Sequence, residues 1–262
     1  MPVWLAVSIL GVIEGVTEFL PISSTGHLLL VENLHWLPRQ SDLFNITIQS
    51  GAALAVLFAF SSRVRELLSG LRDPDTRGYL LKIALAFVIT GAGGLILKKQ
   101  GFSLPKETAP IAWATFLGGI AILLIEWAVR GRKQRPDVTW LVAGTVGLAQ
   151  LLAAIFPGTS RSAATILVAL ALGLKRPAAT EFSFLVGVPT LLAAGAYETF
   201  HAIRHQGAAA PEWGLLALGT LVSAVAAFLV VRWLIRWVQT HSFAAFGWYR
   251  IALGLALVTR II

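Results

Sequence analysis

The sequence predicts an all-α integral membrane protein of two inverted-topology repeats, each a re-entrant helical hairpin followed by three transmembrane helices. Three observations lead there. The chain is 56% hydrophobic and only 13% charged, with a mean hydropathy of +0.76, whereas soluble domains carry nearer a quarter charged residues. Six apolar runs (44–60, 79–97, 110–129, 180–200, 213–234 and 246–262) are each about long enough to cross a hydrocarbon core. Two proline-broken, hydroxyl-rich stretches interrupt this apolar background at matching places.

The first broken stretch lies within residues 3–35 and reads EGVTEFLPISSTGH from Glu14 to His27. The second lies within 138–173 and reads QLLAAIFPGTSRS from Gln150 to Ser162. Pro21 and Pro157 are 136 positions apart (157 − 21 = 136), and the same offset sets Glu14 over Gln150 and Ser24 over Ser160. Adding 136 to the starts of the first three runs gives 180, 215 and 246, close to the starts of the last three. The expected repeats are therefore 1–136 and 137–262, within a single membrane domain. Proline removes a backbone donor and blocks the preceding helical turn, so each proline is expected at a hairpin tip. A hairpin that enters and leaves on one side adds no crossing. Three crossings per repeat then invert the second repeat, and such repeats carry polar sites near the midplane, at their interface.

Charge sets the expected orientation. Thirteen Lys and Arg fall on one face, in clusters around Arg63–Lys82, Arg130–Arg135, Lys175–Arg176 and Arg232–Arg236. Six fall on the other: Arg39, Lys98, Lys99, Lys106, Arg204 and Arg260. The positive-inside rule makes the first face cytoplasmic. Both termini and the mouth of the first hairpin then lie outside, and the second hairpin enters from the cytoplasm to meet the first inside the bilayer. No cleavable leader is expected, because the N-terminus lacks a basic region and Glu14 and Glu18 interrupt its apolar stretch. The net charge of +8 does not point to nucleic acid, since the cations sit beside apolar spans without aromatic interleaving. The absence of cysteine excludes disulfides and thiolate metal sites.

Ionisable groups inside a membrane mark function unless a neighbouring helix merely satisfies them. Glu14 and Glu18 are four apart and share a helical face. Such a pair suits a general base with an acid, or two ligands for a hard cation. Ser23, Ser24 and Thr25 stand where the second arm of the hairpin begins. They can cap that helix and, with its free amides, hold an anion. Gly26 allows close backbone approach, and His27 can relay a proton. The second hairpin adds Thr159, Ser160 and Ser162 around Arg161, whose guanidinium can grip a phosphate with two parallel bonds or form a salt bridge to Glu14 or Glu18. Together these are the groups needed to hydrolyse a phosphoanhydride. Gln49 and the stretch 181–184 either support this site from behind or satisfy buried backbone. Tyr249-Arg250, at the head of the last span, reads as an interfacial anchor, and Trp36, Trp140, Trp213 and Trp248 as belt residues.

The segments 14–27 and 157–166 (PGTSRSAATI) closely resemble the two signature segments of the bacterial undecaprenyl-diphosphate phosphatase family, whose members are associated with bacitracin resistance. Residues 44–51, 181–185 and Tyr249-Arg250 also match, so the resemblance spans essentially the whole chain. Ala163 departs from the glycine the family commonly carries after Ser-Arg-Ser, a change that removes no reactive group. The resemblance implies an enzyme of the bacterial cytoplasmic (inner) membrane that hydrolyses a polyprenyl diphosphate lipid to its monophosphate, recycling the carrier for cell-wall synthesis. It further implies the two-hairpin inverted-repeat fold, a divalent cation (Ca2+ or Mg2+), a site open to the outer, periplasmic face, and a homodimer. By position, Glu14, Glu18, His27 and Arg161 match the family's essential residues, and Ser23, Ser24, Thr25, Thr159, Ser160 and Ser162 its phosphate-site hydroxyls.

The expected mechanism has Arg161 and the hairpin amides hold the phosphates while Ser24, activated by Glu18 or His27, attacks; a directly activated water is the other route. Glu14 and Glu18 are alternatively the ligands of the divalent ion. The competing functional class is a polyprenyl-phosphate transporter or flippase, because inverted repeats with paired hairpins also build carriers.

Overall fold

A computed structural model describes residues 1–101, 108–205 and 212–261. Eleven helices are found among them, with one isolated bridge between Arg135 and Leu174. The first hairpin is α1 (Val3–Thr17) and α2 (Ser24–Asn33); the second is α7 (Trp140–Ile155) and α8 (Arg161–Ala171). Between and after them run α3 (Asp42–Ala59), α4 (Ser61–Ser69), α5 (Pro74–Lys99), α6 (Thr108–Val129), α9 (Arg176–His205), α10 (Trp213–Trp237) and α11 (Ala244–Ile261). Five of these, α3, α5, α6, α9 and α10, are long and apolar enough to cross a membrane. The sixth expected span, 246–262, falls in α11, whose 18 residues equal α3 in length and whose apolar part is described over Ala244–Thr259. Ile262, and Lys106 from the charge count, lie outside the described residues.

Helix boundaries follow local chemistry. Asp73 caps α5 by accepting from Thr76 N at 2.8 Å, with Pro74 at the first helical position, where its missing donor costs nothing. Ser41 caps α3 and Thr139 caps α7 in the same way. The amphipathic α4 is a short basic helix that hydropathy alone did not separate from its neighbours.

Lipid offers helices no hydrophobic reason to associate, so they meet through small residues. A Cβ at Gly11 of α1 would lie 2.6 Å from Gly219 O of α10, and one at Gly119 of α6 would lie 2.7 Å from Gly247 O of α11. Helix α10 therefore packs against α1 and α3, α5 against α7 and α9, and α6 along α11. Phe19, Phe60 and Phe184 form an edge-on aromatic core beside the hairpin tips, with Phe19 and Phe184 4.8 Å apart. Outward-facing Phe58, Trp127, Leu221 and Leu229 are exposed. In water that surface would be a liability; in lipid it is the outer coat. The four tryptophans assigned to the interfacial belt are likewise exposed.

Candidate active site

Both hairpin tips are built the same way. Pro21 and Pro157 sit in the turns, and each second arm starts on a serine with a left-handed backbone: Ser23 at φ 74° and Ser160 at φ 69°. Such a backbone costs a non-glycine residue on the order of 1–3 kcal/mol and is kept where surrounding structure enforces it. Each serine recovers part of that cost by capping its own helix: Ser23 Oγ accepts from Gly26 N, and Ser160 Oγ from Ala163 N, both at 3.2 Å. This corrects the alignment made from the prolines. The caps are 137 apart (160 − 23 = 137), because one more residue separates the proline from the cap in the second tip, where Gly158 has φ 94°. Ser24 is thus matched by Arg161, not by Ser160.

The tips meet. Ser24 Oγ donates to Glu18 Oε2 at 2.5 Å, and Arg161 Nη2 donates to Glu18 Oε1 at 2.7 Å. Glu18 is 7% exposed, so this carboxylate is shielded from water and shared between a hydroxyl and a guanidinium. Arg161 also lies 5.7 Å over the Phe19 ring, and its guanidinium occupies the space beside Gly187 of α9 that any side chain there would fill. Ser162 Oγ donates to Leu20 O at 2.9 Å, stitching the second hairpin to the first.

A cavity of about 480 Å³ opens beside these groups. Glu18, Ser23, Ser24, Thr25, Ser160 and Arg161 line its inner end. Thr90, Gln150, Gln49 and Thr190 line the flank, and the outer end reaches Glu32, Arg39, Gln40 and Glu198. Leu28, Ile46, Ala153, Ala154 and Leu191 supply apolar wall. Polar and charged groups at one end with aliphatic wall beside them suit an anionic head on a hydrocarbon body.

Not every expected site residue is here. His27 does not reach Ser24 or Glu18. Its Nδ1 donates to Ser23 O at 2.7 Å, which leaves Nε2 to accept from the Tyr249 hydroxyl at 2.7 Å, and the two rings stack 5.7 Å apart. Both nitrogens are thereby occupied on the side of α2 facing α11, so His27 braces the strained Ser23 cap. Gly26, Thr159 and Ser162 also lie off the cavity lining. Glu14 is fully buried one turn below Glu18, and neither of its carboxyl oxygens has a hydrogen-bond partner.

Arg250 corrects another expectation. Rather than anchoring at the interface, it is completely buried, and its guanidinium bonds the carbonyls of both tips. Thr90 was also missed. It accepts from Gln150 Nε2 at 2.8 Å and donates back to backbone, tying α5 to α7 along the cavity. Glu181, singled out in the sequence, instead pairs with Arg63 at 2.9 Å and bonds Tyr79 at 3.2 Å, away from the cavity.

The fold and site define a class: a polytopic helical membrane protein whose two broken hairpins bring a serine, a carboxylate and an arginine together beside a half-apolar cavity. Residues 7–256 match the family described as bacitracin resistance protein BacA, and the chain belongs to that family. An undecaprenyl-diphosphatase from Rhizobium etli is 50% identical over 252 residues, covering 96% of this chain and 94% of the relative. One from Xylella fastidiosa is 49% identical over 251 residues, covering 95% of each chain, and one from Xanthomonas oryzae pv. oryzae is 46% identical over a similar share.

Proposed function

We propose that this protein is an undecaprenyl-diphosphate phosphatase, hydrolysing the diphosphate to undecaprenyl phosphate and inorganic phosphate so that the carrier lipid returns to cell-wall synthesis. The observation that carries the site assignment is the shared Glu18 carboxylate, bonded to Ser24 from its own hairpin and to Arg161 from the other. Relatives bearing that activity match nearly the whole chain.

The diphosphate head occupies the inner cavity while the prenyl tail lies along its aliphatic wall and out among the helices. Phosphate oxygens compete for Arg161, drawing the guanidinium from Glu18 and leaving that carboxylate free to take a proton. Ser24 Oγ then attacks the terminal phosphorus. An O–P bond forms, the bridging O–P bond breaks, undecaprenyl phosphate departs, and the Ser24 proton passes to Glu18. Water hydrolyses the phosphoserine, releasing inorganic phosphate and restoring the hydroxyl. Arg161 and the amides at the start of α2 and α8 stabilise charge on the transferring group, the main contribution in phosphoryl transfer. Glu18 rather than His27 is the base, because Ser24 donates to Glu18 while both ring nitrogens of His27 are bonded elsewhere. The Ser24–Glu18 bond favours this route over direct attack by water.

A divalent cation fits the acidic hairpin. Glu14 offers two buried oxygens without partners, one turn from Glu18, and hard cations take carboxylate oxygen. Among the described residues no cluster of three or more acidic or imidazole groups is present, so substrate oxygens would complete the ligand shell. When bound, Ca2+ or Mg2+ would supply positive charge to the diphosphate.

The inverted-repeat reading is supported by matching neighbours. Arm α1 packs on α10 as α7 packs on α5, α3 meets α9, and α6 meets α11. The cavity runs toward Arg39 and Glu198, on the less basic face, so the reading places its mouth on the periplasmic side of the inner membrane.

Purified protein in detergent, given undecaprenyl diphosphate and Ca2+ or Mg2+ with no membrane gradient, should release inorganic phosphate. Binding of the lipid without phosphate release under these conditions would favour a carrier on the same scaffold.

A further inference from the structure

We infer that Arg250 is a positioning residue that holds the two hairpin tips at a fixed separation, so that Ser24, Glu18 and Arg161 stay within bonding distance of one another. Every guanidinium donor of Arg250 meets a backbone carbonyl. Nη1 donates to Pro21 O of the first tip at 3.3 Å and to Thr159 O of the second at 2.8 Å. Nη2 donates to Gly158 O at 2.8 Å and Ala114 O at 3.0 Å, and Nε to Thr115 O at 3.2 Å. These account for all five N–H groups of an arginine.

Physical chemistry explains why this residue must be arginine. Each tip interrupts a helix inside the bilayer, which strands carbonyls that water cannot reach, and unpaired backbone there is costly. The three tip carbonyls belong to segments 137 and 138 residues apart in the chain (158 − 21 and 159 − 21), brought together over one planar group. A lysine has three donors radiating from a point and cannot span this set. Among the described residues no carboxylate forms an ion pair with Arg250. A buried charge without a counter-ion is normally expelled; this one persists because five carbonyl dipoles surround it. The adjoining residue reinforces the device, since Tyr249 bonds His27, which in turn holds the strained Ser23. Helix α11 thus grips the first tip twice and the second through the same guanidinium. Gly118 of α6 leaves the room that the guanidinium needs, because a Cβ there would overlap Nη2 and Cζ.

The kinetic part of this inference rests on the diphosphatase reading; the geometric part does not. Arg250→Lys and Gly118→Ala should each lower kcat for undecaprenyl diphosphate about tenfold or more while KM moves less than about threefold, because small displacements between reacting groups act on the chemical step. Gly118→Ala is the decisive variant if Arg250→Lys does not fold, since alanine favours a helix more than glycine and α6 should not unravel. Arg176→Met, which removes an ion pair with Glu126 that touches neither tip, is the control: it should lower the melting temperature and leave kcat per folded molecule unchanged. The natural chain has no cysteine, so spin labels at Thr25→Cys and Phe156→Cys report the tip separation whether or not phosphate is released. That distance should be narrow in the otherwise unsubstituted protein and broad or shifted with Gly118→Ala. An unchanged distance distribution would overturn the inference. So would a kcat within about twofold of the parent, or one that falls equally in Arg176→Met.

Discussion

The two hairpins share a scaffold and differ in the chemistry they carry. Both run helix, proline turn, left-handed serine cap, helix, and in both the cap accepts from the amide three residues on. One position past the cap the first hairpin has Ser24 and the second Arg161. On the incoming arm the first buries Glu14, whose oxygens have no partner, while the second buries Gln150, which bonds Thr90. The repeated element thus supplies two helix N-termini that meet beside the cavity. The residue after each cap decides whether that terminus offers a nucleophile or an anion clamp.

Substitutions can break that comparison at several depths. Ser24→Ala should have the largest effect, lowering kcat at least about 10³-fold if the serine is the nucleophile; near-normal turnover measured as phosphate release would transfer the attack to water. Glu14→Gln makes the first hairpin resemble the second. It should raise the Ca2+ or Mg2+ concentration needed for half-maximal activity by roughly tenfold or more, because ligand charge tunes affinity for hard cations; an unaltered metal titration would show that Glu14 serves the fold alone. The smallest change comes from the caps. Ser23→Ala and Ser160→Ala should each cost about 1 kcal/mol of stability by thermal unfolding, as lost N-caps do. Equal losses would support equivalent tips, whereas a clear inequality would show that one carries more load than the other.

Much of this site was legible because polar groups stand out against an oily chain. Glu14, Glu18, the serine run and Arg161 have no business in lipid without a protein-lined cavity, and the prolines mark where the helices stop. The inner cavity residues Ser23, Ser24, Thr25, Ser160 and Arg161 were all among the expected ones. Other features were hidden for physical reasons. An arginine at the head of an apolar span looks the same whether it snorkels to the interface or turns inward, and only the path of α11 past both tips distinguishes the two for Arg250. His27 lies next to the reactive motif in sequence, yet the face of α2 that it occupies is set by Tyr249, 222 residues away. Thr90 sits inside an unbroken apolar run where nothing local reveals its bond to Gln150. The extra residue between proline and cap in the second hairpin could not be read from the prolines, because the second arms start at serine caps whose conformation depends on the packing around them.

In the proposed reaction a guanidinium from one hairpin and a serine–carboxylate pair from the other act on one diphosphate. Phosphate release from undecaprenyl diphosphate by folded Arg161→Met protein tests it most directly, since Arg161 is the one group of the set contributed by the second hairpin. Its kcat should fall on the order of 10²–10³-fold, the usual loss when a preorganised charge donor is removed. Turnover within about twofold of the unsubstituted protein would contradict it.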